Sequence, residues 1–124
     1  MRGIIVFAHG SRVESANEAV RAVAAELSRQ GGFRVEAAFL ELGRPDLAGA
    51  ARRLVDTGVD SITVIPYFLT LGLHMERDLP PLIEKISNTY SGLRIAVTLP
   101  LDGHPALVQA LLDRALSDIH STKA

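Results

Sequence analysis

Gly3-Ile4-Ile5-Val6-Phe7-Ala8-His9-Gly10-Ser11-Arg12 is an unbroken apolar run that stops abruptly at a histidine, a glycine and two polar residues. A short apolar run bounded by turn residues suits a central parallel strand covered on both faces. In open α/β sheets ligands bind outside the carboxyl ends of such strands. His9 stands at that end.

Downstream, Ser15-Ala16-Asn17-Glu18 has the form of a capping box, and Ala16, Val20, Val23, Ala24 and Leu27 follow at helical spacing, so a first helix is expected to end near Gly31-Gly32. The run from Arg34 to Leu42 reads as a second strand with Glu41 near its carboxyl end. Asp46 can cap a second helix carrying Leu47, Ala51, Leu54 and Val55, closed by Gly58. Ser61 to Pro66 reads as a third strand, stopped by a proline that has no N–H for the ladder. A long apolar loop, Tyr67 to His74, follows it.

A third helix is predicted from about Met75 to Tyr90, with Pro80-Pro81 near its first turn, where proline is tolerated. Leu93 to Leu99 reads as a fourth strand. A last helix starts near His104-Pro105 and carries Leu107, Val108, Leu111, Leu112, Ala115 and Ile119. His104 reads as part of that helix start, and His120 suits the helix's carboxyl end through the macrodipole alone.

This strict βαβαβαβα alternation, without linker or repeat, predicts one domain over residues 1–124. The expected architecture is a three-layer α/β/α fold of flavodoxin-like type, with a four-stranded parallel sheet in the order 2-1-3-4. Strands one and three would then be neighbours at the topological switch point, where a cleft opens.

Composition narrows the chemistry. The chain has no cysteine, which excludes disulfides, thiolate metal sites and cysteine nucleophiles. A metal would need His, Asp or Glu. A net charge of −1, with Lys85 and Lys123 the only lysines, argues against a nucleic-acid footprint. The preference for arginine suits bidentate recognition of carboxylates or phosphates, or simply reflects genomic composition. Although 48% of residues are hydrophobic, no run approaches the roughly 18 apolar residues of a membrane span. A first strand beginning at residue 3 leaves no room for a signal peptide, so a cytoplasmic location is expected.

In this topology His9 and His74 face one cleft from neighbouring strand ends. A neutral imidazole pair suits a borderline divalent ion such as Co²⁺, Ni²⁺, Fe²⁺ or Zn²⁺ and leaves coordination positions open. Each histidine alone has a duller reading, as a polar strand stop or a helix cap. In the loop Phe68-Leu69-Thr70-Leu71-Gly72-Leu73, some apolar residues are core, or they form a floor for a flat ligand or a subunit contact. Gly72 would let backbone approach a ligand closely.

With these residues placed, the chain resembles short-form class II chelatases of the CbiX/SirB type, which insert a divalent metal into sirohydrochlorin. The resemblance rests on Ala8-His9-Gly10-Ser11-Arg12, on Phe39-Leu40-Glu41-Leu42 followed by Pro45, and on Pro66 to His74 leading to Arg77-Asp78-Leu79-Pro80. It implies that His9 and His74 bind the metal and that His9 also accepts a proton. It further implies that Leu69, Thr70, Leu71, Gly72, Leu73 and His74 contact substrate, together with a position near Arg44, for which Glu41 is the alternative. Ser11 and Arg12 are further candidates. Larger members have two similar lobes around the tetrapyrrole; a chain of one such half-lobe implies a homodimer.

The implied reaction needs no organic cofactor. It also needs no ATP, and the sequence has no P-loop. An imidazole with its usual pKa near 6.5 is largely neutral at cellular pH and can bind a metal or take a proton. Cobalt, iron or nickel would fit, cobalt foremost, leading toward cobalamin, sirohaem or a nickel tetrapyrrole respectively. A histidine phosphatase is the rival enzyme, but its loop expects arginine directly before the histidine, where Ala8 stands. A non-catalytic flavodoxin-like module is the other rival, with the Gly10-Ser11 turn as a phosphate cradle.

Overall fold

A computed structural model describes residues 1–117 of the chain. The eight expected elements form in order: β1 (Arg2–Ala8), α1 (Glu14–Gly31), β2 (Arg34–Phe39), α2 (Leu47–Asp56), β3 (Ser61–Pro66), α3 (Leu73–Thr89), β4 (Arg94–Val97) and α4 (Pro105–Ser117). Ile119, His120 and Lys123 lie outside the described residues. All strand pairs are parallel and the sheet order is β2-β1-β3-β4, as the alternation predicts.

The first apolar run is buried on both sides because β1 is central. Ile5 and Phe7 join Ile62, Val64, Leu47, Leu54, Met75, Leu79 and Ile86 in the larger core, beneath α2 and α3. Val6 and Ala8 join Ala24, Ala37 and Phe39 in the smaller one, beneath α1. Each large apolar side chain buried this way contributes about 1.5–3 kcal/mol. Asp46 caps α2 as expected, its Oδ1 accepting from the Gly49 amide at 2.8 Å. Gly32 ends α1 in the left-handed region at φ 71°.

Several boundaries differ from expectation. The capping box at Ser15 does not form: α1 starts at Glu14 with Val13 at its cap position and no side-chain cap bond. The Val13 amide instead donates to Ser11 Oγ at 3.0 Å, a turn one step upstream. β2 stops at Phe39, so Glu41 lies in the loop beyond it. β4 is also shorter than expected. α3 starts two residues earlier than expected, which places Pro80 and Pro81 in its interior rather than its first turn. Both prolines are exposed, as are Glu76 and Arg77. Water can therefore satisfy the two carbonyls deprived of donors.

α4 buries none of its residues, and Val108, Leu111, Leu112 and Leu116 are exposed by 50–77%. Register pairs Thr63 with Ala96, on the sheet face opposite the larger core, and Ala96 is exposed. The sheet is thus covered along β1 from Gly3 to Ala8 and over the second half of β2, and partly open at β4. Among the described residues no helix is long and apolar enough to cross a membrane.

Candidate functional site

The β1–β2 pairing continues past the strands. The Leu40 amide donates to Ala8 O at 2.9 Å and the Glu41 amide to His9 O at 3.1 Å, which draws Glu41 alongside His9. His9 Nε2 stands 4.0 Å from Glu41 Oε1, with both side chains 58% exposed. A first-row divalent ion takes N and O ligands at about 2.0–2.2 Å, so small rotations let these two atoms share one ion. His9 Nδ1 faces Gly10 O at 3.4 Å; with the proton there, the Nε2 lone pair is turned toward the carboxylate.

Glycine is obligatory beside this histidine. Gly10 has φ +96°, and a Cβ there would stand 1.6 Å from Glu41 O. The two loops pack main chain on main chain.

Asn17 ties them together. It is 1% exposed, and among the described residues it is the only buried polar or charged one. Its Oδ1 accepts from the Ser11 amide at 2.9 Å. Its Nδ2 donates to Ser11 O at 2.9 Å, to Leu42 O at 2.9 Å and to Glu14 Oε2 at 3.2 Å. Leu42 has φ 60°, a conformation costing a non-glycine residue roughly 1–2 kcal/mol, and the Asn17 bond helps hold it. One turn along α1, Arg21 lies over the Phe39 ring at 5.2 Å, pairs with Glu14 and Glu18, and donates through Nη2 to Arg44 O at 3.0 Å. The Arg21 hydrogen bond, with a smaller one from Asn17, holds the Glu14 carboxyl below its usual pKa. Sequence reasoning assigned Asn17 to a cap. The missed sign is spacing: residues 17, 20, 24 and 27 form one helical stripe, and a polar residue heads it.

His74 sits in the first turn of α3 rather than in the preceding loop. Its Nδ1 lies 3.2 Å from Arg77 Nη2. A guanidinium only donates, so Nδ1 accepts here and the ring proton belongs on Nε2; to take a metal, His74 must release either that proton or Arg77. β1 and β3 are neighbours, with Phe7 opposite Pro66, so His9 and His74 follow adjacent strand ends. Among the described residues no three His, Asp or Glu side chains form a metal-sized group.

The loop before His74 divides in two. Phe68 and Leu71 pack against the larger core, whereas Leu69 and Leu73 are 63% and 84% exposed, with Thr70 and Gly72 also open. Leu69 O and Phe68 O accept from the Asp102 and Leu101 amides at 2.7 and 3.0 Å, which fastens this loop to the one after β4.

Arg12 and Arg44 present exposed side chains on the His9 side. A cavity of about 740 Å³, lined by Leu40, Glu41, Gly43, Arg44, Asp46 and Arg52, opens between Glu41 and α2, and neither His9 nor His74 lines it. The histidines stand on an open rim. The Ser11 amide is occupied by Asn17, which withdraws one donor of the Gly10-Ser11 turn from a phosphate.

Comparison with known proteins adds four likenesses. The family model described as CbiX matches residues 3–118. A sirohydrochlorin cobaltochelatase of Sulfolobus acidocaldarius is 32% identical over 93% of this chain and 90% of its own length. A chloroplastic sirohydrochlorin ferrochelatase of Arabidopsis thaliana is 32% identical over 90% of this chain and 50% of its own. The cobalt-bound sirohydrochlorin chelatase SirB of Bacillus subtilis superposes with a TM-score of 0.85 at 26% identity, covering 98% of this chain and 55% of that one. The chain therefore spans about half the length of the last two.

Proposed function

This chain belongs to the CbiX family, and on that footing we propose how its rim works. It is a chelatase of tetrapyrrole biosynthesis that inserts a divalent metal into sirohydrochlorin. The observation that carries a mechanism is the His9–Glu41 pair, 4.0 Å apart beyond the carboxyl ends of β1 and β2.

Insertion exchanges the ion's water ligands for ring nitrogens while the pyrrole N–H protons leave. The ion arrives as substrate, and His9 Nε2 with Glu41 are the groups that hold it first. His9 is also the proton acceptor, since an imidazole that releases a metal has a lone pair ready for a proton. Glu41 is positioned to take a second proton. His74 completes the metal's path from the β3 side once Arg77 lets go of Nδ1. The exposed Leu69 and Leu73, with Thr70 and Gly72, form the floor on which the macrocycle lies. Arg12 and Arg44 meet its carboxylates, where a guanidinium fork binds two oxygens at once. No step calls on ATP.

The working unit is a homodimer. The rim is open, α4 carries an apolar stripe that the described residues leave uncovered, and the sheet is exposed at Ala96. A second copy covers both and closes a cleft over the rim. We place the enzyme in the cytoplasm and take Co²⁺ as its metal, ahead of Fe²⁺ and Ni²⁺. Imidazole and carboxylate accept all three ions. Parallel anaerobic assays with sirohydrochlorin and each ion, followed by absorbance, test this reading. Fastest turnover with Co²⁺ is expected; no turnover with any ion refutes it.

A further inference from the structure

We propose that Asn17 is a positioning residue for chelation: it sets His9 and Glu41 in register by clamping the loop after β1 to the loop after β2. The inference rests on the reading of the rim given above and concerns a side chain that touches neither metal nor macrocycle.

Its geometry is that of a two-loop staple. Oδ1 accepts from Ser11 N, two residues beyond His9, at 2.9 Å. Nδ2 has two hydrogens, and its two shorter contacts are main-chain carbonyls, one in each loop: Ser11 O and Leu42 O, both at 2.9 Å. Leu42 directly follows Glu41 and is the one non-glycine residue with positive φ among the described residues. The loops touch again where Gly10 meets Glu41 O, and Gly43 leaves room for the amide, since a Cβ there would come within 3.1 Å of Asn17 Nδ2. Because Asn17 is 1% exposed, water cannot substitute for these bonds. His9 and Glu41 side chains are themselves exposed, so their spacing is inherited from the main chain that Asn17 fixes.

Asn17→Asp isolates the claim. It keeps the volume and the acceptor for Ser11 N, but sets carboxylate oxygens against two carbonyls. Outer-shell residues of metal sites typically change affinity or activity by about 10–100-fold. A loss of that size is expected both in kcat for cobalt insertion and in Co²⁺ affinity titrated without tetrapyrrole, with KM for sirohydrochlorin changed by less than about twofold. Ile62→Ala, in the larger core, serves as the stability control; at a matched fall in Tm it should leave kcat and Co²⁺ affinity in place. Equal losses in Ile62→Ala reduce Asn17 to a folding role and overturn the proposal. So does Asn17→Asp with wild-type kcat and Co²⁺ affinity. A wild type that binds Co²⁺ but inserts none refutes the chelatase reading while the titration still decides on Asn17; one that neither binds nor inserts it refutes both.

Discussion

The two sides of the rim are built by opposite rules. On the β1–β2 side, main chain lies on main chain, a glycine has no room for a Cβ, and a buried amide bonds both loops. On the β3–α3 side, Leu69 and Leu73 are in solvent, and among the described residues nothing stands within 4 Å of a Cβ at Gly72 and the one side-chain hydrogen bond of His74 is to an exposed arginine. The first arrangement suits a step whose donor atoms must be spaced to fractions of an ångström. The second suits adaptation to a broad, flat ligand. Precision of geometry and breadth of contact are thus divided between neighbouring strand ends.

Glycine replacement separates the sides most sharply. Gly10→Ala forces a Cβ into Glu41 O in a backbone region unsuited to alanine. A loss of about 2–4 kcal/mol in stability is expected, with insertion abolished. Gly72→Ala, at φ −78° with open space around it, should change stability by less than about 0.5 kcal/mol. Its effect should fall on KM. Thermal unfolding and steady-state kinetics on both variants check the contrast, and equal destabilisation would erase it.

Next in size is the apolar floor. Burying a leucine is worth about 1.5–3 kcal/mol, so Leu73→Asp should raise KM for sirohydrochlorin by about tenfold or more. Unchanged Tm is expected, because Leu73 is 84% exposed. Leu111→Glu on α4 bears on the open side of the fold: sedimentation should shift from a dimer toward the 13.3 kDa monomer, with slower insertion. A dimer that survives this change would move the interface elsewhere.

The smallest expected effect is acid sensitivity on the clamped side. Glu14 has its pKa lowered in the folded chain, chiefly by Arg21. The stabilisation is therefore present above the ordinary carboxylate pKa and is lost as pH falls through the folded value. Subtracting the Tm profile of Glu14→Gln from that of wild type should give a small difference that vanishes over this acidic window. A pH-independent difference would remove Glu14 from the clamp.

The fold was legible because β1 is apolar at every position from Ile4 to Ala8, a pattern that only a strand covered on both faces needs. The switch point then followed from alternation, and His9 and His74 were found as residues at strand ends. The rest depended on contacts that local patterns do not encode. Asn17 looked like part of a cap because Ser15 and Glu18 flank it at cap spacing, whereas its partners Ser11 and Leu42 come from two different loops. The start of α3 was masked because adjacent prolines normally mark a first turn; here they lie on its wet side, where the lost bonds fall to water. Val108, Leu111 and Leu112, apolar residues that mark α4 in sequence, are exposed in the fold, since periodicity reports an apolar face and not what covers it.

The central claim is that the clamped side does the chemistry, and His9 is its reacting group. The direct measurement is the absorbance change on mixing sirohydrochlorin with Co²⁺ under anaerobic conditions, for wild type, His9→Ala and His74→Ala, with fold checked by circular dichroism. Removing a ligand that is also the proton acceptor should lower the rate by about 10²–10⁴-fold in His9→Ala, with a smaller loss in His74→Ala. A wild-type rate in folded His9→Ala would contradict the account.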